Sequence, residues 1–208
     1  MRTLPRVPTT RKARSLKATR CAHMKGYFAI GVEGISKPAN LGALIRTGHA
    51  FGASYTFSVA PATDAVDFGS SDTSEATKNL PFYRFPSVQD LLLPQGARLV
   101  GIELLDDAIE LPSFRHPRQA VYVLGPERGG LSDAMVARCD HIVQIPTRFS
   151  INVSLAGALV LYDRLISLGR FAPRPVRSGG PTEELPPHFH GAAKFRAVPA
   201  EADRDESR

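Results

Sequence analysis

Residues 120–137 read AVYVLGPERGGLSDAMVA, and their order decides the fold class. Ala120–Leu124 is an unbroken apolar run with β-branched and aromatic members, the pattern of a strand buried on both faces. Gly125, Gly129 and Gly130 then punctuate a loop. Ser132 is a good N-cap and opens a short helix through Ala137. A buried strand that passes through a glycine loop into a helix belongs to an α/β domain.

The same alternation continues outward on both sides. Upstream, Tyr27–Val32 is an apolar strand. Asn40 is placed as the cap of a helix over Leu41–Phe51, which carries Leu41, Leu44, Ile45 and Phe51 at helical spacing and stops at Gly52. Tyr55–Val59 reads as a strand, Ser74–Asn79 as a short helix and Pro81–Phe85 as a short strand. Val88–Leu93 is expected to be helical up to Pro94, and Arg98–Leu104 to be a strand. Downstream, His141–Ile145 is a strand ended by Pro146, and Asn152–Gly169 is a long, largely apolar helix. Together these predict an α/β domain with a mainly parallel sheet and helices on both faces.

The chain has 208 residues, 43% of them hydrophobic and a formal net charge of +6. That is enough for one core of moderate size. The first apolar stretch begins near Tyr27 and is short, so neither a secretory signal nor a membrane span is expected, and the expected location is the cytoplasm. The charge is unevenly placed. Residues 1–25 hold eight Lys or Arg and no acid, which leaves 18 basic and 20 acidic residues in the remainder. Such an arm reads as a nucleic-acid contact, because neutralising phosphates releases counterions. It reads as well as a solvated tail. A transit peptide is a third reading, weakened by Pro5 and Pro8, which oppose an amphipathic helix. After Phe171 prolines and mixed charges dominate, so residues 171–208 are expected to be a disordered tail, with 26–170 as the domain. Cys21 and Cys139 show no metal-ligand spacing and are expected to be reduced thiols; the histidines form no cluster, and no metal is expected.

Three segments carry unusual chemistry for loops. The first runs from Pro38 to Arg46, with Asn40 and Arg46 across a helix start, where free N–H groups and an arginine suit a phosphate. The second is Leu124–Leu131, whose glycines let a ligand approach the main chain and whose Glu127 can accept hydrogen bonds. It matches neither the dinucleotide fingerprint nor the Walker loop. The third, Ile145–Ser154, places Ser150, Asn152 and Ser154 at another helix start. Each segment taken alone reads as ordinary capping or turn chemistry.

In this order the segments resemble the three motifs of the SPOUT methyltransferases, and in particular the TrmH branch, over roughly Gly26 to Gly169. Asn40 and Arg46 match the first motif. Gly125, Glu127, Gly130 and Leu131 match the second, and Ile145, Pro146, Ser150, Asn152 and Ser154 the third. The resemblance implies a deep trefoil knot toward the carboxyl terminus and S-adenosylmethionine as cofactor. It also implies methyl transfer to a ribose 2′-hydroxyl of tRNA or rRNA, and a homodimer. Carried over by position, Gly125, Ile145 and Ile151 contact the cofactor, with Leu124, Ser154 and the strand end near Ile102–Leu104, including Leu104. Arg46 is the activating residue, best read as binding and orienting a substrate phosphate. Asn40, Glu127, Ser150 and Asn152 fix the arginine and the ribose. The loop from Ile145 to Ser150 is shorter than in most of the family and carries Arg148 and Phe149, which puts the contact at Ile151 in question. A non-catalytic RNA-binding or ribosome-assembly protein on the same fold is the alternative. Methylation of a base nitrogen is a further one, which the Asn40/Arg46 pairing opposes.

Overall fold

Seven parallel-paired strands form the frame of the computed structural model, which describes residues 26–62, 79–126, 129–169, 171, 174–175 and 178–179. The expected basic arm, the helix expected over Ser74–Asn79 up to residue 78, and most of the expected tail lie outside these residues. The chain divides after Arg170 into two units, and the sheet with its helices belongs to the first.

The elements in chain order are β1 (Tyr27–Glu33), α1 (Pro38–Phe51), β2 (Tyr55–Val59), β3 (Phe82–Phe85), β4 (Arg98–Ile102), β5 (Ile109–Glu110), a 3-10 turn (Leu111–Ser113), β6 (Gln119–Leu124), α2 (Asp133–Arg138), β7 (His141–Gln144) and α3 (Val153–Leu168). The sheet order is β3-β2-β1-β6-β4-β7-β5, and every pairing is parallel. β6 thus inserts between two strands that precede it in the chain. Strand residues alternate between two cores. Phe28, Ile30 and Val32 face Leu41, Leu44, Val153, Val160 and Leu161 of α1 and α3. Ala29, Val121 and Val123 face Leu131 and Met135 at α2. Helices therefore cover both faces, as the unbroken apolar strands require. Ile30, Leu44, Ile45 and Leu161 are at most 1% exposed, and burying each such side chain stabilises the fold by roughly 1.5–3 kcal/mol.

α1 and α3 approach closely because Gly157 carries no side chain: a Cβ there would lie 2.6 Å from Leu44 Cδ1. α3 also holds the sheet through a buried polar chain. Arg164, fully buried, donates from Nη1 to the Pro117 carbonyl at 2.6 Å and to Tyr122 Oη at 3.1 Å, and from Nη2 to the Arg118 carbonyl at 2.8 Å. Tyr122 Oη lies 2.6 Å from His116 Nδ1, and His116 Nε2 lies 2.9 Å from Asp163 Oδ2. One arrangement of hydrogens satisfies the links from Tyr122 to Asp163: the neutral imidazole accepts from the tyrosine and donates to the aspartate. Burial holds the His116 pKa below its ordinary value and pushes Tyr122 up to about 12, both consistent with that state.

Several expectations are corrected. α1 starts at Pro38, and its cap is Lys37, not Asn40; proline suits the first helical position, where its missing N–H costs nothing. No helix forms over Val88–Leu93, where residues 88–90 make a turn. So short a stretch does not repay helix nucleation. In addition, Arg138 of α2 donates to the Val88 and Leu91 carbonyl oxygens and ties the segment to α2 as a turn. The strand expected through Leu104 ends at Ile102, since Leu104 N–H turns to Glu103 Oε1 at 2.9 Å. The strand expected through Ile145 ends at Gln144, where Thr147 N–H closes a tight turn onto the Ile145 carbonyl at 2.7 Å. β5 has two residues and no periodicity to read. Among the described residues, no helix is long and apolar enough to cross a membrane.

Candidate active site

The chain segments that follow β1, β4, β6 and β7 converge on one cavity of about 390 Å³. Ligands in open α/β sheets bind at the carboxyl ends of strands, and this cavity occupies that place. Each wall comes from a different segment. Lys37 and Asn40 follow β1, Ile102–Leu104 close β4, Leu124, Gly125, Pro126 and Gly129 follow β6, and Ile145, Thr147, Ser150, Ile151, Asn152, Val153 and Ala156 follow β7.

The glycine loop is held from both sides by carboxylates. Glu103 Oε2 accepts from Leu131 N–H at 2.7 Å. Glu33, only 6% exposed, accepts from the next residue, Ser132, through its N–H at 2.9 Å and its hydroxyl at 2.6 Å. Ser132 Oγ in turn caps α2 by accepting from Met135 N–H at 3.2 Å. Gly125 leaves little room here: a Cβ would press on Leu131 N at 3.0 Å and the Gly130 carbonyl carbon at 3.1 Å. A ligand thus reaches main chain at this wall.

The opposite rim joins the two large helices. Asn152 caps α3 by accepting from Ser154 N–H at 2.9 Å, and Ser154 Oγ donates to the same oxygen at 2.6 Å. Its Nδ2 donates to Asn40 Oδ1 at 3.1 Å. Freed from capping α1, Asn40 spends its carbonyl on this contact. The loop between Pro146 and Ser150 is exposed, with Phe149 at 74%.

The structure brings together Asn40, Leu104, Leu124, Gly125, Ile145, Ser150, Ile151 and Asn152 at the cavity. Ile151 lines it despite the short loop before it. Ser154 supports Asn152 and does not line the cavity. Arg46 is exposed on α1 and does not line the cavity either. It stands six residues beyond Asn40, about 9 Å along the helix axis. Glu127 lies outside the described residues. Sequence reasoning missed Lys37, Glu33 and Thr147, and it included Glu103 only within the strand end Ile102–Leu104 without a role of its own. A signal for the two glutamates was available: each follows an apolar strand directly, at Val32 and at Ile102. Cys139 is a free thiol that burial pushes up to about 12, so it is no nucleophile near neutrality; Cys21 lies outside the described residues.

The cavity suits an adenosyl cofactor. Ile102, Leu124, Ile145, Ile151, Val153 and Ala156 supply apolar wall, while Gly125, Glu103, Ser150 and Asn152 supply a few placed polar groups, the usual composition of a small-molecule site.

The class defined by this fold and cavity is a parallel α/β protein with its ligand site built from four segments at the carboxyl ends of its strands. The chain belongs to the SpoU rRNA Methylase family, whose profile matches residues 27–162. It is 31% identical over 161 residues to the 23S rRNA (guanosine-2'-O-)-methyltransferase RlmB of Coxiella burnetii, covering 69% of this chain and 59% of that protein. It is 28% identical over 143 residues to the tRNA (guanosine(18)-2'-O)-methyltransferase of Escherichia coli, covering 65% of this chain and 62% of that one. The chain thus spans about three fifths of these relatives. The SpoU methyltransferase AviRb from Streptomyces viridochromogenes, solved in complex with the cofactor AdoMet, is similar with a TM-score of 0.61 and 26% identity, over 70% of this chain and 60% of that chain.

Proposed function

We propose that this protein transfers a methyl group from S-adenosylmethionine to a ribose 2′-hydroxyl of tRNA or rRNA. The observation that carries the reading is the cavity itself. Its walls are drawn from the three segments that were each unremarkable alone together with the strand end at Ile102–Leu104, and the Asn40–Asn152 hydrogen bond ties two of them at one rim. The names and chemistry of the relatives support it.

S-adenosylmethionine, when bound, supplies an electrophilic methyl group. The chain's residues have the remaining tasks. Gly125 and the apolar wall at Ile102, Leu124, Ile145, Ile151 and Val153 hold the cofactor, with Leu104 at the rim. Asn40, Ser150 and Asn152 orient the incoming ribose, and Glu127 joins them. Arg46 binds the substrate phosphate beside the target nucleotide and thereby aligns the hydroxyl and helps it lose its proton. An arginine is protonated at any working pH, so phosphate binding is the role its chemistry suits. The basic residues of 1–25 add sequence-independent RNA affinity. A cytoplasmic setting goes with an RNA substrate.

The protein works as a homodimer. Leu155, Leu159, Tyr162 and Ile166 are 60%, 44%, 52% and 37% exposed and recur at the spacing of a single helix face on α3. A second copy covers this stripe. The trefoil knot is proposed for the same chain; the insertion of β6 between β1 and β4, together with the convergence of the loops after β6 and β7, supports it.

The test is radiolabelled methyl transfer to total tRNA and to rRNA, with mapping of the modified ribose. Arg46→Ala is expected to abolish transfer and to leave calorimetric cofactor binding nearly intact. Full activity in that variant overturns the role of Arg46. Absence of cofactor binding at millimolar concentration favours a non-catalytic RNA-binding protein.

A further inference from the structure

Glu103 does more in this cavity than hold a loop. Its two oxygens are already oriented: Oε1 accepts from Leu104 N–H at 2.9 Å and Oε2 from Leu131 N–H at 2.7 Å. A carboxylate offers about four lone-pair positions, so among the described residues two acceptor positions remain, one on each oxygen. The side chain is half-buried and lines the cavity. Among the described lining residues it is the only carboxylate.

The glycines around it keep it uncovered. A Cβ at residue 130 would lie 2.7 Å from Glu103 Oε2 and 3.0 Å from its carboxyl carbon, and a Cβ at residue 125 would lie 3.1 Å from Oε2. Any side chain at either position would cover the carboxylate or displace it. The glycine loop therefore leaves both a path to main chain and an open, pre-oriented pair of acceptors.

Position narrows what those acceptors meet. In the sheet order β4 stands two strands from β1, roughly 10 Å away at ordinary strand spacing. Glu103 is thus remote from Asn40, at the rim where the substrate ribose is oriented. The wall formed by Ile145 and Ile151 is apolar and suits the adenine ring. The group left for Glu103 is one that donates two adjacent hydrogen bonds. In dinucleotide-binding folds, an acidic side chain near the glycine loop binds a ribose hydroxyl in the same manner.

We propose that Glu103 is a cofactor-recognition residue that accepts hydrogen bonds from the vicinal hydroxyls of the adenosyl ribose. The proposal rests on the reading of the cavity as the S-adenosylmethionine site. Because two backbone N–H groups already fix the rotamer, binding the diol orders no further side chain.

The experiment is isothermal titration calorimetry on the full chain with S-adenosylhomocysteine and its 2′-deoxyribose analogue. Wild-type protein is expected to bind the deoxy analogue roughly tenfold to a hundredfold more weakly, the loss of one hydrogen bond to a charged acceptor. Glu103→Gln is expected to weaken S-adenosylhomocysteine binding and to bind the two ligands nearly alike. Equal affinity of the wild type for both ligands overturns the proposal, and this comparison needs no variant. A Glu103→Gln protein that weakens both ligands by the same factor also overturns it, leaving Glu103 as a support for the glycine loop. If wild-type protein binds neither ligand, the cofactor reading itself has failed.

Discussion

Asn152 Nδ2 donates to Asn40 Oδ1 at 3.1 Å across 112 residues of chain. The bond ties the first turn of α1 to the cap of α3 at the rim of the cavity. Asn152 thus does two things with one amide: its oxygen caps a helix and its nitrogen positions a neighbour.

These two duties separate by substitution. Asn152→Asp keeps the capping oxygen and loses the donor. Asn152→Ala loses both, and loss of a cap costs about 0.5–2 kcal/mol. Thermal melting is expected to show Asn152→Ala destabilised and Asn152→Asp close to wild type. Methyl transfer is expected to fall in both. Wild-type activity in Asn152→Asp would remove the Asn40 contact from the mechanism.

Gly125→Ala tests the main-chain wall. The added Cβ would press on backbone at Leu131 N and the Gly130 carbonyl carbon, 3.0 and 3.1 Å away. Overpacking of this kind costs about 1–3 kcal/mol, so cofactor affinity is expected to drop roughly tenfold or more. Calorimetry with S-adenosylmethionine reads the change, and undiminished affinity would show that the loop yields freely.

The α3 stripe predicts an oligomeric switch. Leu159→Glu and Tyr162→Glu place charge on a face that is 44% and 52% exposed at those positions in the single chain. Each variant is expected to sediment as a folded monomer where the wild type sediments as a dimer. A dimer that survives both changes places the interface elsewhere.

His116 makes stability depend on pH. Burial lowers its pKa, while Asp163 pulls the other way and Arg164 adds to the lowering. The unfolded side chain titrates near about 6.5. The unfolded chain therefore binds this proton more readily, and stability from His116 is present above that pH and lost as pH falls through it. Urea midpoints are expected to drop between pH 7.5 and pH 5.5, and His116→Gln is expected to flatten that drop. Although burial opposes it, the Leu99 N–H and Arg98 hold the Asp140 carboxyl below the ordinary carboxylate range.

Much of the fold was legible because its signals are local. Ser132 caps the helix expected of it, Asn152 rather than Ser150 caps α3, and Gly52 ends α1 in the left-handed conformation with φ 79°. Asn40 misled because a side chain suited to capping also suits a tertiary contact. Val88–Leu93 misled because Arg138, which lies 47 residues beyond Leu91, claims its carbonyls. Arg98–Leu104 was read too long because Glu103 folds back onto its own neighbour.

The sequence by itself determined the α/β class, the strand and helix alternation and three of the four segments that line the cavity, since apolar periodicity, caps and glycines act over a few residues. Only the tertiary structure decided that β6 lies between β1 and β4, that Asn40 meets Asn152, and that Glu33 and Glu103 grip consecutive N–H groups of the glycine loop. Those relations join residues tens of positions apart. Their energy depends on which strands neighbour one another, and no local pattern encodes that choice.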